Sequence, residues 1–391
     1  MRRTAIIAAA RTPVGRIRGV LADVAPEKMA ISVVKEAIKR AGIEGEVVDE
    51  VIYGNLYAHC VSNMGRYVAL GAGLPYSVAG CTVDRRCGTS ITAISFADAL
   101  IRSGDADCII AGGCESDSMR PYVLPQQTRL HDLNAPAFRK GTNLAPDPDD
   151  NISMGLTSEN LAAKYGLTRQ DCDAFAVLSH QKATAAWDKG LFDSQIVPVV
   201  IEDKKKGTSK VIDTDEVFRR DCTMESLAAL KPAFKPDGVS TAGNSSPNSD
   251  GASAVVLMAE DKCKELGIKP IGFINGFTAV GVDPKIMGIG PVYATRKLFA
   301  KKGWTFDSLD LIEMNEAFAA QSLSCIKELN MPMDKLNPNG GAISLGHPLA
   351  ATGGVLVTKM VYELNRRGGG RGLVTFCCGG GNGVALGIEV E

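Results

Sequence analysis

The chain has 391 residues, 43 Lys and Arg against 44 Asp and Glu, a formal net charge of −1 and 45% hydrophobic residues. That length exceeds what one core usually supports and predicts two or three domains. Near-neutral charge without a basic, aromatic-studded stripe argues against nucleic acid or an anionic membrane as partner, so any anion site must be built locally. Eleven cysteines without a C-x-x-C pair, two of them adjacent at Cys377 and Cys378, suit neither zinc nor a disulfide framework. They predict reduced thiols and a cytoplasmic location, with no metal site. No run reaches the length of a membrane span.

From the start, Thr4–Ala10 reads as a strand, too soon punctuated by Pro13 and Gly15 to be a signal peptide. A helical pattern through Met29, Val33, Val34, Ala37 and Ile38 ends at Gly42, and a strand follows over 48–55. Asp84-Arg85-Arg86-Cys87-Gly88 is a turn feeding a helix over 91–101, after which 107–113 makes a strand. The same order recurs late. A helix over 292–303 precedes a strand over 309–315, and Asn339-Gly340-Gly341 to Gly346-His347-Pro348 is a glycine-lined turn feeding a helix over 349–364. Gly353-Gly354 allow something to pack closely on that helix, and Thr375-Phe376-Cys377-Cys378-Gly379 ends a strand in thiols and glycines. Asn55 and Cys87 stand 32 positions apart, as do Asn315 and His347.

Agreement of the whole element order predicts a duplicated α/β domain. The closing strand of the second half, 383–390, follows directly, whereas its counterpart at 251–258 arrives about 130 residues late. The expected organisation is therefore a first half at 1–118 and 250–270, an inserted lobe at 119–249 and a second half at 271–391. The lobe should be helical over 153–190 and then form a hairpin, 197–201 with 210–212, flanking Lys204-Lys205-Lys206-Gly207, whose lysines read as a solvated tip.

Cys87, at a helix N-terminus, is placed to be a nucleophile of lowered pKa. If the duplication is a two-fold, the corresponding turns face each other and bring His347 to Cys87 as its base. Cys377 would join from the neighbouring strand end. Asn315 closes its strand at the same edge, and the Gly379–Gly381 run leaves N–H groups free for an oxyanion. Such a set fits acyl transfer through a thioester, with one base serving sulfur and another serving carbon.

On these motifs, with Arg11-Thr12-Pro13-Val14-Gly15, Ser240-Thr241-Ala242-Gly243-Asn244-Ser245-Ser246 and Asn315-Glu316-Ala317-Phe318, the chain resembles the thiolases, the acetyl-CoA C-acyltransferase family, along its whole length. The resemblance implies a five-layered αβαβα fold with the inserted lobe binding coenzyme A as substrate, no tightly bound cofactor, and a homodimer or homotetramer. It implies Cys87 as acyl carrier, His347 as its activator and Cys377 as proton exchanger at the acetyl α-carbon. Asn315, through a water, and His347 would form one oxyanion site; the N–H groups of Cys87 and Gly379 would form the other. Arg219 matches the arginine near the nucleotide, with adjacent Arg220 leaving the register open by one. Ser246 matches a serine near the pantetheine arm, and Met154 and Met287 match acyl-pocket methionines, which also read as ordinary core filler. Arg85-Arg86, Ala350-Ala351 and Ser153 depart from the common pattern and leave the acyl chain open. The rival enzyme, a decarboxylating ketoacyl synthase, needs histidines at both partner positions, and this chain has only His59, His131, His180 and His347. A non-catalytic acyl-CoA binding protein is the rival of a different class.

Overall fold

The computed structural model describes residues 2–57, 60–125, 137–138, 142–203 and 207–391. In the first half, strand β1 (Thr4–Arg11) leads to helix α1 (Pro26–Ala41), strand β2 (Glu50–Gly54), helix α2 (Met64–Ala72), strand β3 (Ala79–Val83), helix α3 (Thr89–Ser103) and strand β4 (Cys108–Ser116). Helix α1 begins on Pro26, whose fixed φ suits a first turn, and stops at Gly42 with φ 64°, a left-handed conformation that glycine adopts without cost. Helices α4 (Met154–Tyr165) and α5 (Arg169–Asp188) intervene before strand β5 (Ser249–Ala259) returns to the sheet. The second half runs β6 (Gly272–Gly281), α6 (Gly290–Lys302), β7 (Leu311–Met314), α7 (Ala319–Leu329), α8 (Thr352–Arg366), β8 (Gly370–Cys378) and β9 (Asn382–Val390).

These strands line up as β7-β8-β9-β6-β1-β5-β4-β2-β3. Taken from either end the order is the same: a strand parallel to its neighbour, then two antiparallel pairings, closing on β1 in one half and β6 in the other. Only β3 lacks a full partner. Its place in the second half is held by a single parallel bridge between Ile312 and Leu336. The equivalent strands β1 and β6 meet antiparallel through Ala5 with Phe273 and Ile6 with Gly272, so the duplication is a two-fold in space.

Apolar burial sorts the helices into layers. Met29, Val33 and Val34 of α1 and Val68 of α2 cover the outer face of the first half, while Val292 and Leu298 of α6 and Ala320 and Cys325 of α7 cover that of the second. Between the two half-sheets, Ile91, Ile94 and Ile101 of α3 pack with Leu356, Met360 and Leu364 of α8. This is a five-layered αβαβα fold. A helix enclosed by sheet on two sides must be apolar nearly all round, and α8 is buried along almost its whole length. Its Gly353 presses on α3, where a Cβ would sit 2.5 Å from the backbone nitrogen of Ile91.

Three expectations are adjusted. The stretch expected to be helical over 153–190 forms two helices, because Gly166 at φ 63° ends α4 and Thr168 opens α5 with a reciprocal cap to Asp171. The helix expected from Leu349 begins as a 3-10 turn, Leu349–Ala351, before α8 proper. The hairpin pairs Val199–Asp203 with Thr208–Ile212; the lysines at 204–206, like His59 and His131, lie outside the described residues.

Candidate active site

The two-fold brings together the starts of α3 and α8. A 3-10 turn, Arg86–Gly88, precedes α3 and packs on the turn Leu349–Ala351. The backbone N–H of Gly354 donates to Ser90 Oγ at 2.9 Å, fixing the two helix starts side by side. Arg86 has φ 52°, a left-handed conformation that costs an arginine about 1–2 kcal/mol and turns the chain so that Cys87 faces the seam. Two backbone N–H groups, those of Gly379 and of Cys87 itself, point at the Cys87 sulfur. The lowered thiol pKa expected from the helix N-terminus does not prevail. Burial pushes Cys87 up to about 11, against the pull of those two N–H groups and of Arg86.

His347 sits on Gly346, whose φ of 98° excludes a side chain: a Cβ there would lie 2.6 Å from Val14 and 2.8 Å from Ser249 Oγ. The His347 N–H donates to Ser249 Oγ at 3.1 Å. Thr352 Oγ1 donates to the Pro348 carbonyl, so at 2.7 Å it accepts from Nδ1 of His347. The proton is thereby fixed on Nδ1 and the lone pair on Nε2. Asn315 Nδ2 approaches Nε2 at 3.4 Å, too long to occupy that lone pair fully. Asn315 Oδ1 is buried without a partner among the described residues. Burial lowers His347 to about 4, so the ring is neutral at ordinary pH.

Strand alternation separates the adjacent thiols. Cys377 packs with Met287, Ala317, Met154 and Phe318, whereas Cys378 belongs to the central layer and receives the N–H of Gly88. Burial raises both thiols, and each also feels Cys87. Met154 and Met287 thus sit together against Cys377. Leu144, which no sequence signal singled out, lies 3.3 Å from where a Cβ on Gly379 would be.

A buried carboxylate holds the histidine turn. Glu316 accepts from Ser179 Oγ at 2.6 Å, Asn337 Nδ2 at 2.8 Å and the Ile343 N–H at 3.3 Å. Below it, Lys359 Nζ donates to Glu313 at 2.6 Å and to the Gly340 carbonyl at 2.7 Å, with both side chains buried.

A cavity of about 450 Å³ opens between α5 and the segment after the hairpin, lined by His180, Phe218, Arg219, Ser226, Leu230 and Ser245 among others. The N–H of Arg219 donates to Nδ1 of His180 at 3.1 Å. Arg220 turns to Asp188 at 2.5 Å. Ser246 spends its hydroxyl on the Ala317 carbonyl at 3.0 Å, and it is Ser245 that lines the cavity. Among the described residues no cluster of three or more His, Cys, Asp or Glu could hold a metal ion, and no helix is long and apolar enough to cross a membrane.

Comparison with known proteins agrees with this fold. Residues 4–261 match the thiolase N-terminal domain family and residues 268–390 the thiolase C-terminal domain family. The chain belongs to the thiolase family, and it is an acyltransferase. A Chromobacterium violaceum protein named acetyl-CoA acetyltransferase is 44% identical over 395 residues, covering 98% of this chain and 99% of the relative. One of the same name from Pseudomonas aeruginosa is 44% identical over 389 residues, covering 99% of each. The crystal structure of the Bacillus anthracis acetyl-CoA acetyltransferase superposes with a TM-score of 0.95 at 42% identity, covering 100% of this chain and 99% of the other.

Proposed function

We propose that the protein cleaves a 3-oxoacyl-CoA with coenzyme A, giving acetyl-CoA and a shortened acyl-CoA, and runs the reverse Claisen condensation when acyl-CoA is in excess. The observation that carries this reading is the pair of N–H groups, from Cys87 and Gly379, converging on the Cys87 sulfur, with Cys377 near enough to feel that thiol and the turn just after His347 packed on the turn that carries Cys87. In the cleavage direction Nε2 of His347 takes the Cys87 proton, and the sulfur adds to the 3-oxo carbon. The carbon–carbon bond to the α-carbon then breaks, and its electron pair collects a proton from Cys377 as acetyl-CoA leaves. Coenzyme A gives its thiol proton to the Cys377 thiolate and attacks the Cys87 thioester; the acyl group departs on coenzyme A as the Cys87 sulfur leaves and takes its proton back from His347. The Cys87 and Gly379 amides stabilise the oxyanion of the Cys87 adduct. A water on Asn315, together with His347, holds the thioester oxygen of the enolate.

In this reading the lobe at 119–249 carries coenzyme A, with Arg219 at its nucleotide end, Ser246 and Ser245 near the pantetheine arm, and Met154 and Met287 beside the acyl unit. The protein works in the cytoplasm, in fatty-acid-type acyl metabolism with acetoacetyl-CoA as the smallest substrate, as a homodimer or homotetramer. Loss of the 3-oxoacyl-CoA enolate absorbance on adding coenzyme A, followed across chain lengths, tests it. No loss at any length would remove the proposal.

A further inference from the structure

The two-fold that sets Cys87 against His347 also gives Cys377 a counterpart. In the parallel pair β2 and β4, Gly54 stands opposite Gly113, and in the pair β7 and β8, Met314 stands opposite Thr375. Two residues further along β4 and β8 come Glu115 and Cys377, while Asn55 and Asn315 follow their partner strands. Where the second half places a thiol that feels Cys87, the first half therefore places a carboxyl, fully buried at 0% exposure. No step of the reaction above uses it.

By the same symmetry Glu115 faces the turn that follows His347. Its Oε2 accepts from the Leu56 N–H and its Oε1 from Asn55 Nδ2, each at 3.2 Å. Burial and Asp117 lift its pKa to about 8, and the N–H groups of Leu56, Ala350 and Tyr57 pull against that rise. Ala350 lies in the turn Leu349–Ala351, which is seated on the same strand: a Cβ on Gly113 would sit 2.1 Å from the Ala350 carbonyl oxygen. Ser253 Oγ supports the turn from β5, donating to the Ala351 carbonyl at 2.7 Å. From here a line of hydrogen bonds leads to the imidazole. The Ala351 N–H and Thr352 Oγ1 both donate to the Pro348 carbonyl, at 2.8 and 3.1 Å, and Thr352 Oγ1 in turn accepts from Nδ1 of His347. Removing the carboxyl would leave the buried Ala350 N–H without its acceptor and free the turn to shift, carrying Thr352 and the ring with it.

We propose that Glu115 is a positioning residue for this reaction, holding the turn Leu349–Ala351 so that His347 meets Cys87. The inference rests on the reaction proposed above and adds a residue to it. Its test is single-turnover acetylation of Cys87 by acetyl-CoA, read by mass after an acid quench, together with kcat and KM for cleavage. Glu115→Ala should slow acetylation and lower kcat about a hundredfold, the scale of a group misplaced by about 1 Å, with KM for coenzyme A within about twofold of wild type. Glu115→Gln, which keeps one acceptor oxygen, should lose only about tenfold. Because the carboxyl acts through the imidazole, Glu115→Gln added to His347→Gln should cost less than about twofold more. Unchanged acetylation in either single variant, or the full loss repeated in the His347→Gln background, would overturn this inference and leave the reaction standing. Should Glu115→Ala fail to fold, Glu115→Gln carries both measurements. A wild type that neither takes up the acetyl group nor cleaves a 3-oxoacyl-CoA would overturn both.

Discussion

Thr352 and Asn315 hold opposite nitrogens of one ring: Thr352 Oγ1 takes the proton side of His347 at 2.7 Å, and Asn315 Nδ2 stands 3.4 Å from the lone-pair side. The ring is therefore a base set in one tautomer, neutral until acid reaches it. Its folded pKa of about 4 lies below the ordinary 6.5, so between those values the unfolded chain binds the extra proton. Stability from this group is whole above pH 6.5 and is lost as pH falls toward 4, on the order of 2 kcal/mol by pH 5. Denaturant unfolding at pH 7 and pH 5 should show wild type losing more than His347→Gln. Equal losses would mean that His347 is not held neutral. His180, also lowered to about 4 by burial and by Arg219, contributes to both proteins and cancels.

Cys87 should carry the acyl group. Peptide mapping after brief reaction with an acyl-CoA and an acid quench is expected to place the acyl mass there, and a label on Cys377 or Cys114 would reassign the nucleophile. Because the buried thiol is held near 11, alkylation of the resting enzyme by iodoacetamide should rise about tenfold per pH unit between 7 and 9. A plateau near neutral pH would instead reveal a preformed thiolate.

The adjacent thiols should separate by function. Cys377→Ala is expected to accept an acetyl group from acetyl-CoA yet lose condensation and cleavage by at least about a hundredfold, the usual scale of a proton-transfer group. Cys378→Ala removes one sulfur from the central layer and should cost on the order of 1 kcal/mol with turnover retained. The reverse outcome would exchange the roles.

How much of this was legible in the sequence follows the kind of signal each feature leaves. The doubled order of elements, with Cys87 and His347 each on a turn before a buried helix, could be seen because apolar periodicity and glycines are local. The five layers were named through the family resemblance. The break between α4 and α5 was also written locally, in Gly166 and the Thr168 and Asp171 pair, but the continuing apolar pattern masked it. What left no local trace was support supplied across the fold. Glu316 under the histidine turn, Ser249 on the His347 amide, Leu144 over Gly379 and the Lys359 pair act at separations of tens to hundreds of residues. The pKa of Cys87 failed as an expectation for the same reason: a helix terminus is visible in sequence, whereas the burial that outweighs it is not.

Arg219→Ala should raise KM for coenzyme A while a truncated pantetheine thioester reacts about as before, since none of Cys87, His347 and Cys377 lines the cavity that holds Arg219. Arg220→Ala, which removes an exposed pair with Asp188, should do little. Equal loss with full-length and truncated substrates would count against Arg219 as a nucleotide contact.

Lys359→Ala leaves the Glu313 carboxylate buried without its cation and should cost about 3–5 kcal/mol in denaturant unfolding. Lys359→Met combined with Glu313→Leu should recover most of that loss. If the single variant unfolds like wild type, the pair is not what anchors the Gly340 carbonyl.

The partners of β1 bear on how the protein can be made. This strand is buried along its whole length, yet it pairs with residues 253–259 of β5 and with Gly272 and Phe273. During synthesis some 250 residues must leave the ribosome before either edge of it can be satisfied, at rates near 5–20 residues per second. For many seconds an eight-residue strand, six of its residues Ala or Ile, has no native place to go. Nascent chains stalled before β5 should therefore depend on a holding chaperone, and the first half expressed without residues 249–281 should aggregate rather than fold.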